Sequence, residues 1–170
     1  MHGLTKISQF AHVIILVITV QGIAAETPVR QCANNAPLPL SVEVDSCSDM
    51  PCDFVKGSES QMIIQFVATR NNMLNLKAMV KFTTLGIQIP FEMDAERSDV
   101  CKNLLYGAYC PLYKDEDVTY HLALPIEQHN PDVPTKVEVS IVDSLDGGVL
   151  SCFVVDGRFK KSLINPPCYG

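Results

Sequence analysis

The sequence predicts an all-β sandwich on three observations. Its apolar residues fall in short runs, rich in β-branched side chains, that alternate with polar ones. Turn formers separate those runs at regular intervals, and no long stripe of helical period occurs. Leu40-Ser41-Val42-Glu43-Val44 is the first run. Met62-Ile63-Ile64-Gln65-Phe66 is the second, with Ile63 adding an apolar group to its outer face. The third is the clearest: Leu74, Leu76, Ala78, Val80 and Phe82 are spaced by Asn75, Lys77, Met79 and Lys81, the period of a half-buried strand. Leu85-Gly86-Ile87-Gln88-Ile89 follows and stops at Pro90, and Val118-Thr119-Tyr120-His121-Leu122 is bounded by Pro125. Val137, Val139 and Ile141 alternate with Glu138, Ser140 and Val142, and Val149 to Val155 is the last apolar stretch. Lys56-Gly57, Asn71-Asn72, Asp146-Gly147-Gly148 and the prolines supply the turns between them. About seven strands result, with no internal repeat and no interdomain linker.

The N-terminus has a different character. Met1 to Lys6 is polar with one cation, Ala11 to Val20 is apolar, and Gly22-Ile23-Ala24-Ala25 is small. This is the layout of a cleavable export signal, with cleavage after Ala24 or Ala25, and the apolar stretch is short for a membrane span. Residues 1–25 are therefore read as signal peptide, 26–163 as one domain and 164–170 as a tail that cannot continue a ladder. Cleavage removes Lys6 and no acid, so the formal charge of −6 becomes one unit more negative. An acidic chain does not attract a phosphate backbone, which excludes nucleic acid as a partner. No Asn-x-Ser/Thr acceptor for an N-glycan is present.

Seven cysteines follow the signal: Cys32, Cys47, Cys52, Cys101, Cys110, Cys152 and Cys168. At this density in an exported chain they read as a disulfide framework, with two locally stapled loops, one long-range clasp and one cysteine left over. Spacing alone does not choose the pairing.

Catalysis finds little support. His121 and His129 have no Gly-x-Ser-x-Gly or comparable signature near them, and oxidised cysteines offer no thiolate. Cys47-x4-Cys52 looks like half a zinc knuckle but has no matching second pair, and Asp115-Glu116-Asp117 lacks the glycine and periodicity of a calcium loop. No metal, cofactor or catalytic residue is assigned. Two apolar edges remain: Ile87, Ile89, Pro90, Phe91 and Met93 before the Cys101-to-Cys110 loop, and Leu122, Leu124, Pro125 and Ile126 after it. They read as packed core or as the rim of a cavity. The Met- and Phe-containing, Trp-free apolar inventory is compatible with an interior that parts for a ligand, although a packed core is the simpler reading of composition.

In order along the chain stand Cys32, Cys47-x4-Cys52 with Lys56-Gly57, Ile89-Pro90-Phe91, Cys101-x8-Cys110-Pro111, Lys114-Asp115, Leu124-Pro125-Ile126 and Leu150-Ser151-Cys152. Together they resemble the ML lipid-recognition domain in its Niemann-Pick type C2 branch. Asp146 to Cys152 is also similar to the group 2 mite allergens. The resemblance covers about Cys32 to Lys160. It implies an immunoglobulin-like sandwich of two antiparallel sheets, with disulfides Cys32–Cys152, Cys47–Cys52 and Cys101–Cys110 and with Cys168 unpaired. It implies a secreted or lysosomal carrier that holds one sterol, or another hydrophobic lipid, between the sheets without altering it. The expected partners are that lipid and a membrane sterol-transport receptor, and the expected state is a monomer. Phe91 and Ile126 match wall positions near the pocket mouth. Tyr120, Pro125, Val139, Met62, Ile64 and Phe66 match other inward-facing positions, while Lys56, Lys114 and Asp115 match polar positions. Val139 stands where the cholesterol carriers have an aromatic and Asn130 where they have a Tyr. The longer Cys101-to-Cys110 loop adds Leu104, Leu105, Tyr106 and Tyr109 to the expected rim. These departures widen the ligand class to fatty acids, plant sterols and small semiochemicals. The competing functions are recognition of microbial lipid in innate immunity and a fully packed module acting through its surface.

Overall fold

The computed structural model describes residues 26–162 except Ser46 and Ser48. The expected signal peptide and Cys168 lie outside the described residues. The strands are β1 (Arg30–Gln31), β2 (Ser41–Val44), β3 (Cys52–Val55), β4 (Glu59–Val67), β5 (Leu76–Thr84), β6 (Ile87–Phe91), β7 (Asp117–Pro125), β8 (Pro134–Asp143) and β9 (Val149–Lys160), with one turn of helix, α1 (Ala95–Ser98), after β6. One sheet has the order β1-β9-β8-β5-β6 and the other β2-β4-β7. All pairings are antiparallel except that of β3, which runs parallel to the C-terminal end of β9, on the edge that β1 occupies nearer its middle.

The alternation seen in the sequence decides what faces inward. Leu76, Ala78, Val80 and Phe82 of β5 are buried while Lys77 and Met79 are exposed. Ser60, Met62, Ile64 and Phe66 of β4 and Val118, Tyr120, Leu122 and Leu124 of β7 form the facing surface. The two inner faces make one core, in which each fully buried large apolar side chain contributes roughly 1.5–3 kcal/mol. β9 departs from strict alternation, with Leu150 to Phe153 all buried. The cause is an outer cover: the segment around Ala36 packs there, Cys152 N–H donates to Pro37 O (2.9 Å), and Cys32 is bonded to Cys152.

The strand count exceeds the sequence reading by β1 and β3, both short edge pieces beside the clasp and the first stapled loop. β9 also runs beyond Val155 to Lys160. Its Gly157 leaves room for a ring, since a Cβ there would meet Phe54 at 2.2 Å. The disulfides are Cys32–Cys152, 120 residues apart, Cys47–Cys52 and Cys101–Cys110. On the chain-entropy model the first constrains the unfolded chain by about 4–5 kcal/mol.

The segment from Glu92 to Leu112 is a strap between the sheets. Asp99 and Val100 take the β5 edge that β6 leaves free, through the Lys77–Asp99 bridge and a Val100 N–H to Leu76 O bond of 3.0 Å. Further on, Leu104 bridges Tyr120, and Leu105 N–H donates to Thr119 O at 2.8 Å, which satisfies the outer edge of β7. The Tyr120 hydroxyl donates to Arg97 O (2.8 Å) and so ties the core of one sheet to α1. Burial, with the Asp99 charge second, pushes the Tyr120 phenol above its usual range, so it stays a donor at any physiological pH.

At the other end the β7–β8 loop, residues 126–133, is held by a clamp. The buried Lys56 ammonium donates to Asn130 O (2.9 Å) and pairs with Asp132 (2.6 Å), while Gly57 N–H donates to Ile126 O (2.7 Å). The Lys56 hydrogen bond is the main reason that the Asp132 carboxyl sits below its ordinary 3.8. A lowered carboxyl contributes stability above its unfolded value and loses it as pH falls through the folded one. The clamp therefore stays closed in a mildly acidic compartment and loosens only in stronger acid.

Two outcomes follow for folding. Tyr120→Phe should lower stability in urea denaturation by about 1–2 kcal/mol, the cost of a lost buried hydrogen bond. An unchanged midpoint would mean the strap does not depend on that bond. An NMR titration should place Asp132 below 3.8 in the wild type and return it toward that value in Lys56→Met. Identical curves would contradict the clamp.

Candidate functional site

The cross-strand registers place most of the expected pocket residues on the two inner faces. Phe91 lies opposite Val80, Val80 opposite Val139, and Val139 opposite Phe153, a single row across the larger sheet. On the smaller sheet Tyr120 lies opposite Ile64 and Met62 opposite Leu122, with Phe66 on the same face. Val139, Tyr120, Met62, Ile64, Phe66 and Ile126 are buried in one core, and Phe91 packs against it from a half-buried position. Pro125 is the exception. The β7 alternation that buries Leu124 turns Pro125 to the outer face.

Beside Phe91 the sandwich is open. A cleft of about 570 Å³ lies between the β5–β6 hairpin and the β7–β8 loop, within the usual volume of small-ligand sites. Phe82, Phe91 and Phe159 form its apolar wall, with ring centroids 5.3 Å apart for Phe82–Phe91 and 5.5 Å for Phe82–Phe159, both edge-on. Ile87 and Ile89 line the hairpin side, and Glu127, His129, Asn130 and Pro131 line the loop side. The hairpin tip is unusual. Leu85 (82% exposed) adopts φ +52° and Gly86 φ +80°, a turn that normally takes Asn or Gly at both positions. Ile87 (64%) and Ile89 (54%) are also exposed, so the hairpin gives the cleft an apolar collar on one side.

A second groove, about 690 Å³, runs between α1, the start of β5 and the β8–β9 turn. The Lys102–Asp99 ion pair and Lys77 line it, so an apolar ligand there would desolvate three charges. The Phe91 cleft is the more apolar of the two. This changes the place of the Cys101-to-Cys110 loop. Its Cys101, Lys102, Tyr109 and Cys110 border the second groove and not the Phe91 cleft, because the loop backbone is spent on the β7 edge.

The polar residues singled out in the sequence have local partners. Lys56 is the clamp just described. Lys114 N–H donates to Asn71 Oδ1 (3.0 Å). In the acidic run, Asp115 occupies a positive-φ turn position, Glu116 accepts from Tyr113 N–H (2.8 Å) and Asp117 accepts from Gln65. His121 Nε2 pairs with Gln61 Oε1 at 2.7 Å and His129 Nε2 with Glu127 at 2.8 Å, so neither ring faces a hydroxyl or thiol nucleophile. Cys32, Cys152 and Glu138 converge closely enough to suggest a metal set, but both sulfurs are tied in the disulfide and offer no thiolate. The cleft offers an apolar molecule a wall of aromatic and aliphatic side chains, with the Glu127–His129 pair on its loop side.

Sequence reasoning missed Phe82 and Phe159 as cleft residues. Phe82 read as strand core, and the β9 pattern was stopped at Val155, although the spacing Val155, Gly157, Phe159 continues it. In the sequence Asn130 stands out only as a departure from a Tyr.

Comparison with known proteins agrees with this architecture. The chain is 26% identical over 133 residues to the NPC intracellular cholesterol transporter 2 of pig and, equally, to that of mouse, spanning 78% of this chain and 85% of each relative. Among solved structures it superposes on a Niemann-Pick type C2 protein from the Japanese carpenter ant with a TM-score of 0.66 at 20% identity, covering 78% of this chain and 99% of that one, a likeness of fold. The ML-domain family model matches residues 26–159, and the chain belongs to the ML-domain family.

Proposed function

We propose that this protein is an exported, non-enzymatic carrier that takes a single sterol-like lipid between its two sheets through the Phe91 cleft. The observation that carries the reading is the continuity of apolar surface from the cleft to the core: Phe91 belongs to the cleft wall and, by register, to the same inner row as Val80 and Val139. Moving an apolar ligand from water onto that surface gains roughly 25 cal/mol per Å² buried and needs no catalytic group. The pig and mouse relatives are named as cholesterol transporters, which favours a sterol over other lipids.

The two ends of the sandwich serve different steps in this reading. The strap fixes β5 to β7 at the Leu76 and Thr119 end. The sheets then part at the Thr84 and Pro125 end, where the β5–β6 hairpin faces the clamped β7–β8 loop. Phe91 swings from the core edge to admit the ligand, which settles against Val139, Tyr120, Ile64, Met62 and Phe66. Exposed Leu85, Ile87 and Ile89 would be covered when the carrier meets an acceptor membrane or a membrane receptor, which fits a transfer surface. The three disulfides suit an oxidising compartment. In this reading the mature chain starts near Glu26 and acts as a monomer in extracellular fluid or the lysosomal lumen.

Titration of the mature protein with dehydroergosterol, read by fluorescence, should saturate at one ligand per chain. Phe91→Ala should weaken that binding about tenfold or more, matching the loss of a buried aromatic contact, while far-UV CD stays the same. Equal affinity in wild type and Phe91→Ala would move the entrance elsewhere, and no saturable binding would end the reading.

A further inference from the structure

We infer that Asn130 is a specificity residue that hydrogen-bonds a neutral hydroxyl at the polar end of the bound lipid, selecting alcohols over carboxylates. This rests on the carrier reading above and adds which end of the ligand stays at the mouth.

Three observations carry it. Asn130 lines the same cleft as Phe82, Phe91 and Phe159. Its side-chain Nδ2 is sealed from solvent and has no hydrogen-bond partner, one of three such buried side-chain atoms among the described residues. A buried donor without an acceptor is costly, and a ligand oxygen that reached it as the sheets part at this end would satisfy it. The residue is also held in place by its own backbone. Its carbonyl accepts from Lys56 Nζ (2.9 Å) and its N–H donates to Glu127 O (3.3 Å), so the amide is presented from a fixed support.

The charges around it decide between head groups. The ionisable residues lining the cleft are Glu92, Glu127 and His129. His129 is already paired with Glu127 at 2.8 Å, and the neighbouring Lys56 ammonium is occupied by Asn130 O and Asp132. A fatty-acid carboxylate would enter an acidic mouth with no free cation to meet it. A hydroxyl is different: it accepts from the amide nitrogen, donates to the amide oxygen or a nearby carboxylate, and carries no charge. Thr84 does not compete for the role, since its hydroxyl is paired with that of Thr135 at 3.2 Å.

The experiment is competition for bound dehydroergosterol by cholesterol, by cholestane, which keeps the skeleton without the hydroxyl, and by oleate. It is run on the mature wild type, Asn130→Leu and Asn130→Gln. Wild type should prefer cholesterol to cholestane by roughly tenfold or more, with oleate weakest. Asn130→Leu should erase the preference by losing cholesterol affinity while cholestane competes as before, and Asn130→Gln should restore part of it. A cholesterol-to-cholestane ratio unchanged in Asn130→Leu overturns the inference and leaves the carrier reading standing. A wild type that prefers oleate also overturns it. Failure of the wild type to bind dehydroergosterol at all removes the carrier reading and this inference with it.

Discussion

Everything in this molecule depends on one constraint: each sheet is apolar on one face only, and that face must be covered. The period-two runs give β4, β5, β7 and β8 such faces, and pressing the two sheets together buries both at once. The remaining devices answer what that packing leaves open. The Cys32–Cys152 clasp pins the N-terminal segment over the outer face of β9, and the strap closes the free edges of β5 and β7. The Thr84 and Pro125 end is left with the aromatic-walled cleft, while the groove at the other end is lined by charges. A sandwich closed on one side and open at one end has a natural direction in which to part.

On the proposed function, the covering requirement also makes binding and stability share residues. Val139, Ile64 and Tyr120 are core by burial and, in the proposed carrier, pocket wall as well. A lipid entering there replaces one set of apolar contacts with another, so opening costs less than exposing the same surface to water. Tyr120 shows the arrangement most clearly. Its ring belongs to the inner face, whereas its hydroxyl is held by the Arg97 carbonyl of the strap, so the ring cannot move freely with the ligand. Phe91, half-buried at the cleft, is under no such restraint from a hydrogen bond.

Much of this was legible in the sequence, and the reasons differ by element. The alternating runs that became β4, β5, β7 and β8 announced themselves because one face of each meets solvent. β3 was not legible because it is a short edge segment whose parallel partner lies over a hundred residues away. The C-terminal half of β9 was hidden by Gly157, which reads as a breaker until Phe54 is seen to occupy its missing side chain. For the site, Phe91 was marked by its Pro-Phe motif and lies in the cleft wall. Pro125 was misplaced by one step of alternation. The role of Asn130 depends on an unpartnered amide and on where the neighbouring cations are spent, and neither property exists in a linear pattern. The Cys101-to-Cys110 loop went to the wrong rim for a related reason: sequence proximity to two apolar edges says nothing about which strand edge its backbone will satisfy.

Methyl NMR of the mature protein during a one-to-one sterol titration shows whether the inner faces themselves receive the ligand. The largest shifts should fall at the methyls of Val139, Ile64 and Met62, with little change at Val149 and Val154 on the far side of β9. Shifts confined to Leu85, Ile87 and Ile89, with the core methyls unmoved, would show a lipid resting on the collar and would contradict it.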